Sequence, residues 1–162
     1  MKKQAKKTSS ITIRDFAEDV SAFSLLAIRS TETDTRLAWL LNRALHLDFV
    51  HCKDLCGKAQ DSPQHPTLLN ERELDERRQF AVFHAADSLS HRSYHLIANR
   101  QDGEPLIKKM AQVDYLLKIS EALQADELAA LSATIRAISG VQACIAVSDE
   151  LKNNPQLVTL EA

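Results

Sequence analysis

A chain of 162 residues with a formal net charge of −2 has the length of one ordinary domain and no overall field that would draw it to nucleic acid or an anionic membrane. No run of about 18 apolar residues occurs, which excludes a spanning helix, and an odd count of three cysteines argues against a disulfide framework and for a reducing cytoplasm. With three glycines in all, there is no glycine-rich phosphate loop of either the P-loop or the dinucleotide type.

In chain order, residues 1–10 ("MKKQAKKTSS") read as a disordered basic tail, and 11–162 as a single α+β domain. "ITIRDF" could be a short strand; Arg14 and Asp15 interrupt the apolar run, so no secretory signal is expected. "AFSLLAIRS" reads as a strand with both faces partly covered. The period then changes. Leu37, Leu41, Ala44 and Leu45 recur as an amphipathic helix, with Thr33 or Asp34 available to cap its first turn. Trp39 lies opposite that stripe, among Arg36, Asn42, Arg43 and His46. A large aromatic there either packs on a neighbouring loop or belongs to a partner surface.

"DFVHCKDL" reads as a short strand, followed by a loop excursion at about 57–78 that ends in a solvated charge run. "FAVFHAAD" and "SYHLIANR" flank a polar turn and predict a β-hairpin; "QDGEP" makes the next turn through Asp-Gly. Val113, Tyr115, Leu117 and Ile119 alternate as a strand with one core face. "ADELAALSATIRAIS" carries a Leu128, Leu131, Ile135, Ile138 stripe, acidic residues near its N-terminus and Gly140 as the expected C′ residue. "VQACIAVS" closes as a strand. The order predicts a mostly antiparallel sheet with the two main helices packed on one face, a ferredoxin-like two-layer arrangement closing on a βαβ crossover.

Three constellations bear on chemistry. Asp114-Tyr115 puts a tyrosine toward the core, its hydroxyl in need of a partner, and an aspartate toward the other face of the sheet. The aspartate reads as a structural group pairing with a cation or tying down the "IKKM" turn, as a recognition anchor on an open sheet face, or as a catalytic carboxylate lacking a visible second group. His51, Cys52 and Cys56 suggest a metal or enzymatic site, but the cysteine spacing is wrong for zinc, and His51 and Cys52 would point to opposite faces of a strand. His84, His91 and His95 fall on the hairpin, where an imidazole pair could titrate near neutral pH.

Ile107 followed at the proper spacing by Val113-Asp114-Tyr115, with "LIANR" before and "IRAISGV" after, resembles the bacterial IPExxxVDY family over roughly residues 23–160. The family's Pro-Glu is Lys108-Lys109 here, so a role needing that glutamate does not transfer. The resemblance implies a small cytoplasmic bacterial protein without an assigned activity. The residues themselves favour a non-catalytic protein-interaction module, with a protein partner or a second copy of the chain, no cofactor and no metal. The binding residues expected are Trp39, Arg36, Asp114, Tyr115, Lys108 and Lys109. The alternatives are a nucleic-acid-associated protein using the basic tail with Arg36, Arg43, Lys108 and Lys109, and a metal or enzymatic site at His51, Cys52 and Cys56.

Overall fold

The computed structural model describes residues 23–52, 54–56, 79–148 and 152. The basic tail, the "ITIRDF" strand and the excursion at 57–78 lie outside the described residues. The elements are β1 (Ser24–Ser30), α1 (Asp34–Leu45), β2 (Val50–His51), β3 (Leu55–Cys56), β4 (Gln79–Phe80), β5 (Val82–Asp87), β6 (Arg92–Ala98), β7 (Arg100–Gln101), β8 (Glu104–Pro105), β9 (Tyr115–Ile119), α2 (Ala125–Arg136) and β10 (Val141–Ala146), with a 3₁₀ turn at Lys108–Met110. Six strands pair in the order β10-β1-β9-β6-β5-β2, each neighbour antiparallel. Because β9 and β10 both run antiparallel to the intervening β1, they are parallel to each other, and α2 forms the crossover between them. The fold is α+β, with both helices on one face of the sheet.

That face owes its core to the two helical stripes. Leu37, Ala38 and Leu41 of α1 and Ile135 of α2 pack with Leu26, Ile28, Phe83, Leu96, Leu117 and Ile119. Complete burial of such a side chain contributes about 1.5–3 kcal/mol. The helix ends depart from the sequence reading. Thr33 makes no side-chain cap bond; Asp34 Oδ1 instead accepts the Thr35 N–H at 2.7 Å. The last turn of α1 closes on His46 in the left-handed region, its N–H donating to Asn42 C=O. Gly140 is not the C′ residue of α2, since Ala137 keeps helical geometry. Its φ of 89° belongs to the turn into β10, where its carbonyl accepts the Thr31 N–H at 3.1 Å and the Ser30 hydroxyl at 3.0 Å. A Cβ at this position would collide with the Glu32 side chain.

The opposite face is not open. Leu25, Ala27, Val82, Ile97 and Leu116 line it, and Ile107, Met110 and Val113 cover them as a second apolar cluster. All five residues of β9 are therefore buried, where an alternating pattern with one core face was expected. The side chain that holds the cover down is Asn99, completely buried at the end of β6. Its Nδ2 donates to Met110 C=O at 2.8 Å and to Val113 C=O at 2.9 Å, and its Oδ1 accepts the Ile107 N–H at 3.0 Å. Its backbone carbonyl also accepts the Leu106 N–H at 2.7 Å. The Asp102-Gly103 turn, both residues at positive φ, brings β7 back along β8 and aims the chain at this cover.

At the β5 and β6 end, Arg92 joins the hairpin to the start of α2: Nε donates to Glu121 at 2.6 Å and Nη1 to Glu127 at 2.7 Å. At the β10 edge, the Ser132 hydroxyl of α2 donates to Cys144 C=O at 2.7 Å, occupying a backbone group of the kind an edge strand would leave available for pairing.

Replacing Asn99 tests the account of the second face. Asn99→Ala leaves one buried donor and two buried acceptors without that carboxamide and is expected to lower stability by about 2–4 kcal/mol in a denaturant titration. A loss below about 1 kcal/mol would mean that the 107–113 segment is held by its apolar contacts alone.

Candidate interaction surface

Since Leu37, Ala38 and Leu41 face the sheet, helical geometry turns position 39 to solvent. Trp39 is 45% exposed. Arg36, one turn before it, places its guanidinium carbon 4.8 Å from the ring centroid, and Arg43, one turn after it, lies at 4.9 Å. Each contact is a cation–π interaction worth about 0.5–1 kcal/mol at an exposed site. Arg36 Nε is also 4.0 Å from Glu32 Oε2. Among the described residues no carboxylate pairs with Arg43. The indole is therefore held as a rigid apolar edge flanked by two guanidiniums.

The remaining expected binding residues do not join this surface. Asp114 is half-buried in the turn before β9; its Oδ2 accepts the Ser30 N–H at 3.0 Å and its Oδ1 lies 3.8 Å from Arg100 Nη1. Pairing with a cation is thus one of its roles, but the turn at 107–113 is tied down by Asn99. With the sheet face covered, an aspartate anchor on an open face is not available. Tyr115 has the hydroxyl partner it needs, donating to Glu32 C=O at 2.6 Å. Burial first, then Asp34 and Asp114, push its pKa up to about 12, so it remains a donor. Lys108 and Lys109 are exposed on the cover of the second face, across the sheet from α1. The surface of Arg36, Arg43, Lys108 and Lys109 imagined for nucleic acid is thus divided between opposite sides.

The cysteine and histidine groups are engaged separately. His51 Nε2 lies 2.8 Å from Asp54 Oδ1, and its ring meets Phe83 edge-on at 5.2 Å. The Cys52 thiol donates to Val82 C=O at 3.2 Å. Burial raises its pKa, and neighbouring Asp54 adds to the rise against one backbone hydrogen bond, the reverse of what a nucleophilic thiol needs. Cys144 is buried and likewise raised by burial. The side chain of Cys56 lies outside the described structure, and among the described residues no three metal-ligating side chains converge.

The imidazole pair expected across the hairpin forms on the second face, and Lys118, which was not foreseen, joins it. Register puts Val50 beside His84, His84 beside His95, and His95 beside Lys118. The two imidazoles are 4.8 Å apart, and the Lys118 ammonium is 5.0 Å from the centre of the Phe23 ring. His95 is 4% and Lys118 6% exposed. Burial, then His84, then Lys118, push the His95 pKa down to about 4. The expected titration near neutral pH therefore does not hold for this residue.

Two measurements follow from these geometries. Unfolded, His95 takes its proton near 6.5; folded, near 4. Between those values the unfolded chain binds more protons, so stability rises with pH through the window and the penalty vanishes above it. At about 1.4 kcal/mol per tenfold change in proton affinity, the loss on going from pH 7 to 4 is at most about 3 kcal/mol from this group. His95→Gln should flatten the stability profile by that amount relative to wild type; parallel profiles would show that the imidazole is already solvated. Trp39 is the sole tryptophan, so its fluorescence reports the α1 surface directly. With each quencher normalised to its effect on free N-acetyltryptophanamide, iodide should quench it roughly twofold more strongly than caesium at equal ionic strength, because the guanidiniums concentrate anions there. Arg36→Gln with Arg43→Gln should bring the two normalised values together, and equal normalised quenching in wild type would contradict the placing of both guanidiniums beside the ring.

No family model matches the chain, and no curated protein or solved structure matches it.

Proposed function

We propose that this protein is a non-catalytic protein-interaction module that binds its partner through the outer face of α1. The observation that carries the reading is the exposed Trp39 ring held between Arg36 and Arg43. Aromatic and arginine side chains are the types that dominate binding energy at protein interfaces, and an indole already fixed by its neighbours loses little further freedom on binding. The resemblance to the IPExxxVDY family accords with a cytoplasmic bacterial setting, and no helix among the described residues is long and apolar enough to cross a membrane. We read strands β10-β1-β9-β6 with the two helices as a ferredoxin-like layer, extended by β5 and β2.

The two alternatives have less support. A nucleic-acid reading needs a continuous basic track, whereas its arginines and lysines lie on opposite sides of the sheet. An enzymatic reading at His51 and Cys52 needs an activated thiol, whereas the Cys52 thiol is raised in pKa and bonded to a backbone carbonyl.

The test is position-specific photo-crosslinking in cells. A photoreactive residue at exposed Thr35, beside the Trp39 surface, should yield a discrete adduct. The same residue at exposed Lys109, across the sheet, should not. Trp39→Ala should abolish the adduct at a stability loss of no more than about 2 kcal/mol, that of its two cation–π contacts, which leaves the chain folded. An adduct of twice the chain mass identifies a second copy as the partner. Equal yields from the two positions, or an adduct indifferent to Trp39→Ala, would overturn the assignment.

A further inference from the structure

The chemistry of the partner is also written in this surface, and the inference rests on the interaction reading just given. We propose that the outer face of α1 takes an acidic segment of a partner protein: one carboxylate on Arg36, one on Arg43, and an apolar side chain on the indole edge between them.

The stack sets the geometry. A guanidinium lying against an aromatic ring keeps its N–H donors in its own plane, directed away from the ring and ready to grip a carboxylate with two bonds. Neither fork is firmly engaged within the protein. The contact from Arg36 to Glu32 is at 4.0 Å, the outer limit of an ion pair, and no described carboxylate pairs with Arg43. The two arginines are seven positions apart, a rise of about 10.5 Å along the helix. Acidic residues seven positions apart on a second helix have the same spacing, which leaves an apolar residue midway to meet Trp39. The indole gives that residue a dry contact, and the flanking charges fix its register.

Charge and stacking both favour carboxylates on a protein over a nucleic-acid backbone. Two guanidiniums already lie against the ring of Trp39, so a nucleobase would have to compete with them to stack on it. Glu32 and half-buried Asp34 sit at the start of the same helix, where they would repel a continuous row of phosphates but leave room for two discrete carboxylates. The chain as a whole, at a net charge of −2, supplies no wider attraction for a polyanion.

The experiment titrates the full chain with synthetic helical peptides and follows Trp39 fluorescence. The first peptide carries two glutamates seven positions apart with a leucine midway; the second replaces the glutamates by glutamine, and the third by lysine. The glutamate peptide should bind saturably and at least about tenfold more tightly than the glutamine peptide. Arg36→Glu with Arg43→Glu should reverse the preference toward the lysine peptide, a gain that misfolding could not produce. Arg36→Lys with Arg43→Lys should weaken the glutamate peptide at least about threefold by removing the two-bond grip. Equal affinity for the glutamate and glutamine peptides, or stronger binding of a single-stranded RNA oligonucleotide than of the glutamate peptide, would overturn the proposal. If the glutamate peptide, added to lysate before irradiation, fails to prevent formation of a Thr35 adduct that depends on Trp39, the interaction surface stands and the acidic chemistry is wrong. If that adduct is also absent, both readings fall.

Discussion

The carboxamide of Asn99 uses both of its donor hydrogens and its acceptor oxygen on the backbone of residues 107–113, and the closure of the second sheet face depends on it. The central strands leave little alternative. Leu25, Leu26, Ile28, Leu116 and Leu117 are inaccessible to solvent on both sides of β1 and β9, so a bare second face would expose a large apolar area to water. A loop drawn over that area brings backbone donors and acceptors into an environment where unmet ones are costly. One buried side chain with complementary groups resolves both problems, and the 3₁₀ turn at Lys108–Met110 takes its position from this arrangement.

Covering both faces leaves the periphery, and not the sheet, as the exposed surface of the described residues. The groups that first suggest chemistry are engaged in holding the fold. Asp114 receives a backbone N–H from β1, Tyr115 donates to the carbonyl of Glu32, and the Cys52 thiol donates to the carbonyl of Val82. Glu32 occupies a junction between these roles: its carbonyl takes the Tyr115 hydroxyl while its carboxylate reaches toward Arg36. The outer face of α1 is thereby tied, through one residue, to the packing of the central strand β9.

The two cationic groupings of the molecule behave oppositely because of where they lie. On α1, Arg36 and Arg43 sit on an aromatic ring at the solvent boundary, where the charge is hydrated and available. Beneath the second face, His84, His95 and Lys118 stand side by side in register, and His95 is held neutral by burial and by its neighbours. A positive charge stays hydrated in the first position, whereas protonating His95 in the second is opposed by burial.

Local pattern was sufficient for the elements themselves. The leucine stripe of α1, the hairpin formed by β5 and β6, the Asp-Gly turn and the outward position of Trp39 are all consequences of periodicity and backbone preference, which neighbouring residues determine among themselves. The i−3 and i+4 spacing of Arg36 and Arg43 about Trp39 was legible on the same grounds, although a stacked arrangement needed the side-chain conformations. Tertiary structure alone decided which sheet face was covered, that Asn99 would bond to positions 8, 11 and 14 residues further on, that Lys108 and Lys109 would fall across the sheet from α1, and that Lys118 would join His84 and His95 in one row. Each of these depends on strand register and on the path of a loop through space. Both arise from the collective requirement to bury apolar area while satisfying the backbone, a condition that no short window of sequence expresses.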